Sequence, residues 1–177
     1  SIGTWTFNLL SVAGANLAES LFVRGNIDGA ETECRAAVQH ARDWADAAPI
    51  GHTVGHLAGL LIFQGRLEQA EPLVQEALYL LPKMAYLFWF VPHLALRAAR
   101  REQWETAAKL SGYAHASYAA LGHAPAPNED LTVAHLSALL AEHLAAETIE
   151  ALRNEGASWT EADVIAAANA GAGQAPG

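Results

Sequence analysis

Along most of the chain, leucine and alanine recur at steps of three and four residues, the period of a helix with one apolar face. No stretch alternates Val, Ile or Thr with polar residues as a half-buried strand would. The pattern therefore predicts helices and no sheet. Two segments carry nearly the same wording, NLAESLFVRGNIDGAETECRAAV (16–38) and HLAGLLIFQGRLEQAEPLVQEALYLLP (56–82). Take the alanine after the glycine as an anchor. Ala30 and Ala70 lie 40 residues apart, and Ala107 lies 37 further on. Twelve residues before each anchor sit Ala18, Ala58 and Ala95, and thirteen before sit Leu17, Leu57 and Leu94. Three before are Ile27, Leu67 and Trp104, and seven after are Ala37, Ala77 and Ala114. Gly25 and Gly65 stand five before the first two anchors, where the third copy has Glu102. A period in this range signals an array of stacked units.

One unit reads as a helical hairpin. Glycine ends the first helix because it enters the left-handed backbone region without a Cβ clash. The acidic starts NIDGAE and RLEQAE then place carboxylates at the positive end of the second helix. Small residues (Ala18, Ala30, Ala58, Ala70, Ala95 and Ala107) fall where two helices must approach closely. Such a unit cannot bury its apolar face alone, and neighbours bury it together. Cys34 occupies the core position four after the first anchor, where Val74 and Ser111 stand in the other copies. As the single cysteine it excludes a disulfide framework.

These residues resemble the tetratricopeptide repeat. The second copy carries the fullest set: Ala58, Gly65, Ala70, Ala77 and Pro82. The resemblance covers roughly residues 5–121 and implies an all-α, tetratricopeptide-like α-solenoid of three helical hairpins. It also implies that the first helices of the hairpins line a concave face that holds extended peptides or small effectors. By offset, that face includes Glu19, His52, Gly59, Phe63, Trp89, Leu96 and Arg100. Trp89 and Phe63 are candidate hot spots on it, since buried aromatics dominate interfaces; the plainer reading makes both core residues or has the C-terminal helices cover them.

The pattern changes after residue 121. LGHAPAPNEDL carries two prolines and a helix start at Asn128, and a helix follows over 129–142. AETIEALRNE (146–155) predicts another helix, stopped by Gly156. A last helix starts at Thr160, with Asp163 at capping-box distance. The expected organisation is three repeats over 1–121, capping helices over 122–170 and a flexible tail over 171–177. This C-terminal part resembles the end of bacterial multidomain regulators, in which a winged-helix DNA-binding domain and an ATPase domain precede tetratricopeptide-like repeats. The residues behind that likeness are Leu110–Ala114, Pro127–Asn128–Glu129, and Glu155–Gly156 through Val164. The chain does not begin with methionine, which fits a segment of a longer protein. A basic region and cleavage motif of a signal peptide are missing from SIGTWTFNLL, so a cytoplasmic location is expected.

The net charge of −9 argues against direct nucleic-acid contact, which draws its affinity from phosphate neutralisation. The one basic cluster, Arg97, Arg100 and Arg101, reads as a solvated helix end. The most apolar run, AYLFWFVPHLAL (85–96), is too short to span a bilayer and reads as a buried central helix that Pro92 should kink. His52 and His56 stand one helical turn apart but lack the glutamate of a zinc-protease motif and a third ligand nearby. Gly51, Gly55 and Gly59 share a face of the same helix and read as a site of close packing. There is no phosphate-binding loop, no nucleophile elbow and no set of nucleophile, base and oxyanion donor. The expectation is a non-enzymatic domain without cofactor or metal that binds a protein segment, a peptide or a small effector, and that can self-associate. A pocket for a small inducer and a free-standing scaffold are the alternatives.

Overall fold

The computed structural model describes the backbone of residues 2–44 and 47–170, and the side chains of 13–43 and 49–170. The tail over 171–177, expected to be flexible, lies outside the described residues. Among the described residues there are nine α-helices and no strand. None of the helices is long and apolar enough to cross a membrane.

The first six helices come in three pairs, each joined by a three-residue turn: α1 (Ile2–Val23) with α2 (Ile27–Trp44), α3 (Ala47–Phe63) with α4 (Leu67–Leu80), and α5 (Leu87–Arg100) with α6 (Trp104–Leu121). The three turns are built alike. In the first, the Gly25 N–H donates to the Phe22 carbonyl and the Asn26 N–H to Leu21, both at 2.9 Å. In the second, Gly65 donates to Ile62 and Arg66 to Leu61, and in the third Glu102 donates to Ala99 and Gln103 to Ala98. This pair of bonds satisfies the last carbonyls of a helix and requires a left-handed residue at its centre. That residue is Gly25 (φ 79°), Gly65 (φ 78°) or Glu102 (φ 60°). Each anchor alanine then makes the first backbone bond of the second helix, from Ala30 to Asn26, Ala70 to Arg66 and Ala107 to Gln103. Ala18, Ala30, Ala58, Ala70, Ala95 and Ala107 are all buried. A larger side chain at any of them must displace a neighbour, so Ala70→Leu should cost roughly 1–3 kcal/mol.

The chain forms two compact units, residues 1–85 and 86–177. The first holds two hairpins. Ion pairs tie them together: Arg66 to Glu31, and Arg42 to Glu76 at 2.6 Å. Burial alone would raise the Glu31 carboxyl, but the hydrogen bonds and charges of Arg66 and Arg35 outweigh it and hold Glu31 below its ordinary value. Phe22 meets Phe63 edge to face, with ring centroids 4.8 Å apart. Cys34 is a buried core residue, and burial pushes its thiol up to about 12. A short 3-10 turn, Pro82–Met84, and a left-handed Ala85 (φ 53°) end this unit.

In the second unit the third hairpin packs against α7 (Pro127–His143), α8 (Ala146–Ala157) and α9 (Glu161–Ala170). The boundary expected at residue 121 falls inside this unit. Helix α8 does not stop before Gly156. It runs through it, and Gly156 is buried there because a Cβ would lie 1.8 Å from the Lys109 carbonyl oxygen of α6. Gly112 is its counterpart on α6, where a Cβ would lie 2.0 Å from the Arg153 carbonyl oxygen. The two glycines let two helix backbones touch. An ion pair, Lys109 to Glu155 at 2.7 Å, and a bond from Arg153 Nε to Ser111 Oγ at 3.0 Å flank the crossing.

The other helix starts follow local rules. Helix α7 begins at Pro127 rather than Asn128, with the Glu129 carboxylate reaching back to the Ala126 N–H at 3.0 Å. Thr160 caps α9 as expected: its N–H donates to Asp163 Oδ2 at 2.8 Å, and the Asp163 N–H donates to Thr160 Oγ1. Helix α5 runs from Leu87 to Arg100 as one element with Pro92 inside it.

Candidate functional site

Helix α5 is buried along nearly its whole length, from Leu87 to Ala99, with only Phe88 partly exposed. A helix buried on all sides is expected to be apolar all round. Helix α5 is not. Tyr86, at its N-cap, Trp89, His93, Arg97 and Arg100 are spaced three, four, four and three residues apart. At ~100° per residue these five fall within roughly 80° of arc, a single stripe. Every other position from Leu87 to Ala99 is apolar.

The stripe begins with aromatic rings. Tyr86 stacks on Trp89 with centroids 5.8 Å apart, and Trp89 meets the His93 ring edge-on at 6.0 Å. Phe90 lies 5.8 Å from the same imidazole. His93 is 4% exposed, and neither Nδ1 nor Nε2 has a hydrogen-bond partner. Burial lowers its pKa to about 4, so the ring is neutral at pH 7, with one N–H donor and one bare acceptor. One turn further on, Arg97 is 3% exposed and donates from Nη1 to the Ala168 carbonyl of α9 at 3.0 Å. It is therefore not part of a solvated helix end. Its position in the last turn complements the negative end of the α5 dipole, but its burial requires partners inside the fold. Arg100 is half-buried and donates from Nη2 to His135 Nε2 at 3.3 Å. Loss of hydration lowers its pKa.

A second polar group borders the start of the stripe. Glu129 is buried and accepts from the Tyr118 hydroxyl at 2.5 Å and from the Ala126 N–H at 3.0 Å. Burial raises the Tyr118 hydroxyl pKa, and the Glu129 bond raises it further. Tyr86 is raised too, by burial first and then by the Glu129 charge.

Of the residues expected on the binding face, Trp89 and Arg100 belong to this stripe. Leu96 lies at its edge with no exposed surface, and Trp89 is 5% exposed, so neither offers an open contact. Glu19, His52 and Phe63 lie in the first unit, each half-buried. The His52 and His56 rings meet edge-on at 4.5 Å, and burial lowers the His52 pKa. Gly59 is buried in the same helix. Among the described residues no three His, Cys, Asp or Glu side chains come together as metal ligands.

Sequence reasoning does not single out Tyr86 or His93 as site residues, and it places Arg97 in solvent. A signal is nevertheless present. Fourteen before the anchors stand His56 and His93, and eighteen before stand His52 and Trp89. The stripe thus repeats, one hairpin later, the face that carries the histidine pair. Compared with family models, curated protein sequences and solved structures, the chain matches none of them.

Proposed function

We propose that the chain is a tetratricopeptide-like α-solenoid, the interaction or effector-sensing end of a multidomain bacterial transcriptional or signalling regulator. It works in the cytoplasm without catalysis or cofactor. It binds a protein segment or a small effector, biases the attached domains, and makes no direct contact with nucleic acid or membrane. The repeated turn carries this reading: three hairpins close with the same two backbone bonds around a left-handed residue, whether that residue is glycine or glutamate. A repeated hairpin favours a repeat array, and such arrays serve as binding surfaces rather than catalysts. The Leu110–Ala114 and Glu155–Val164 segments support the regulator context only by resemblance.

Two modes of binding follow from this. An open groove would present Trp89 to a peptide, whereas a small-effector site would keep it enclosed. The burial of Trp89 and the unpartnered imidazole of His93 favour the small effector. A free-standing scaffold has no observation of its own in its favour.

Hydrogen exchange tests the reading. The chain is incubated with the low-molecular-mass and the protein fractions of a bacterial extract, and peptides are followed by mass. Binding is expected to slow exchange across residues 86–101 and to leave the bound molecule chemically unchanged. Protection confined to α8, or conversion of the molecule, sinks the proposal.

A further inference from the structure

Helix α9 is short and lightly anchored. It has 10 residues, and an isolated helix below ~12–15 residues is marginal in water. Its helical form therefore depends on what it docks against. Of its side chains only Val164 and Ala168, one turn apart, are buried, at 0% and 3% exposure. The last carbonyls of a helix have no partner within it, and here one of them, Ala168, accepts from Arg97 Nη1 of α5 at 3.0 Å. The guanidinium also meets the negative end of the α9 dipole. Arg97 thus closes the end of α9 from outside.

Two features oppose this docking. Glu161, the first residue of α9, has a buried carboxylate oxygen, Oε1, without a hydrogen-bond partner. Burial holds the Tyr113 hydroxyl of α6 above its ordinary value, and the Glu161 charge adds to this against the bond with Ser117, so the carboxylate faces α6. A buried acceptor without a donor costs free energy, and water removes that cost once the helix lifts. The second feature is Arg97 itself, 3% exposed and bonded to α9. An apolar side chain serves a permanent core as well or better. A charge suits a surface that is wet part of the time.

From this balance we infer that α9 is a detachable strap. It lifts as one unit at the link 158–160 while the rest of the second unit stays folded. Lifting frees the Arg97 Nη1 donor and hydrates Glu161. Val164 and the arginine bond hold the strap down, and the Glu161 oxygen and the conformational entropy of a short helix release it. The second unit then has two states that differ in one covered surface. This device goes beyond the binding reading above and does not depend on it.

The test is amide exchange of the whole 177-residue chain, read residue by residue by NMR at rising urea below the unfolding transition. Amides of residues 164–170 should exchange through one shared opening, at least about a hundredfold faster than the buried amides of α6 and with a common, shallow urea slope. Val164→Ala and Arg97→Gln should each speed exchange over 164–170 by about tenfold or more. Glu161→Met, which removes the unpartnered oxygen, should slow it. Leu136→Ala, in the core of α7, should speed exchange in α6 by about thirtyfold or more and leave 164–170 unchanged, because α7 stays folded when the strap lifts.

The inference is overturned if 164–170 share the rate and urea slope of α6, since α9 then opens only with its whole unit. It is overturned if Leu136→Ala speeds both segments equally, or if neither Val164→Ala nor Arg97→Gln changes exchange over 164–170. Rates that climb residue by residue towards 170 without a urea slope overturn it too, leaving a fraying end only. So does a Glu161→Met variant that opens more readily. Should Leu136→Ala or Arg97→Gln not fold, the rates and urea slopes of the unaltered chain decide.

Discussion

The second and third hairpins are written to one pattern and live in different surroundings. Four aligned positions make the contrast. Five before the anchor, Gly65 becomes Glu102, and both residues are left-handed. Five after it, exposed Gln75 becomes buried Gly112. Eleven after it, Leu81 becomes Tyr118, both buried. Fourteen before it, half-buried His56 becomes fully enclosed His93. The hairpin itself tolerates all four changes. What differs is the company: the third hairpin packs against α7, α8 and α9 within its own unit. Gly112 admits the backbone of α8, and the Tyr118 hydroxyl meets Glu129 of α7. A repeat position therefore specifies the helix pair, and the residue placed there specifies what may pack outside it.

The largest effect should come from filling the α6–α8 crossing. Gly112→Ala puts a methyl group 2.0 Å from a backbone oxygen, which cannot yield as a side chain would. We expect a loss of about 4 kcal/mol or more in urea unfolding, against less than about 0.5 kcal/mol for Gln75→Ala at the aligned position. Equal costs at the two positions would break the comparison.

The histidines come next. The folded-state pKa of His93 lies near 4, below its ordinary 6.5, so the unfolded chain takes up its proton first. Stability from this group is complete above pH 6.5 and is lost as the pH falls towards 4. The loss is of order 3 kcal/mol. His52 and His135 are also lowered by burial and add slopes of the same sign. Urea unfolding from about pH 7.5 to 4 should therefore show a steep decline, and His93→Leu should flatten it more than His52→Leu does.

Tyr118→Phe removes one of the donors to the buried Glu129 carboxylate. It should cost roughly 1.5–3 kcal/mol, because a bond to a charged buried group is lost. Leu81→Ile, at the aligned position, carries no polar partner and should cost less than about 1.5 kcal/mol. A Tyr118→Phe variant as stable as the unaltered chain would mean that Glu129 needs no help from the hydroxyl.

The smallest effect is at the turns. Glu102 holds a left-handed conformation that glycine adopts without strain, so Glu102→Gly should stabilise by about 1 kcal/mol, and Gly65→Ala should destabilise by a similar amount. A melting temperature that moves the same way in both variants would show that the two turns are not equivalent.

Much of the architecture is legible in the residues alone. The anchor alanines, the positions of the three turns and the Thr160–Asp163 cap follow from local rules, which act within four or five residues. Gly156 misleads for an instructive reason. A glycine near a helix end has two uses, as a left-handed terminator or as a bare patch for a neighbouring backbone, and only the neighbour distinguishes them. Arg97 misleads in the same way, since a basic residue in a last turn looks solvated until another helix covers it. The stripe is half legible: Trp89 and Arg100 stand out by residue type, while His93 between them does not.

Sequence by itself determined the helices, their pairing into hairpins and the places where the chain must turn. These depend on periodicity, on small residues and on backbone freedom, all of which are written locally. Only the tertiary structure decided which exposed-looking positions become buried. It paired Gly112 with Gly156, set Glu129 beneath Tyr118, and enclosed His93 without a partner. Burial is a property of neighbours distant in sequence, and the cost of an unpaired polar group exists only once water has been excluded.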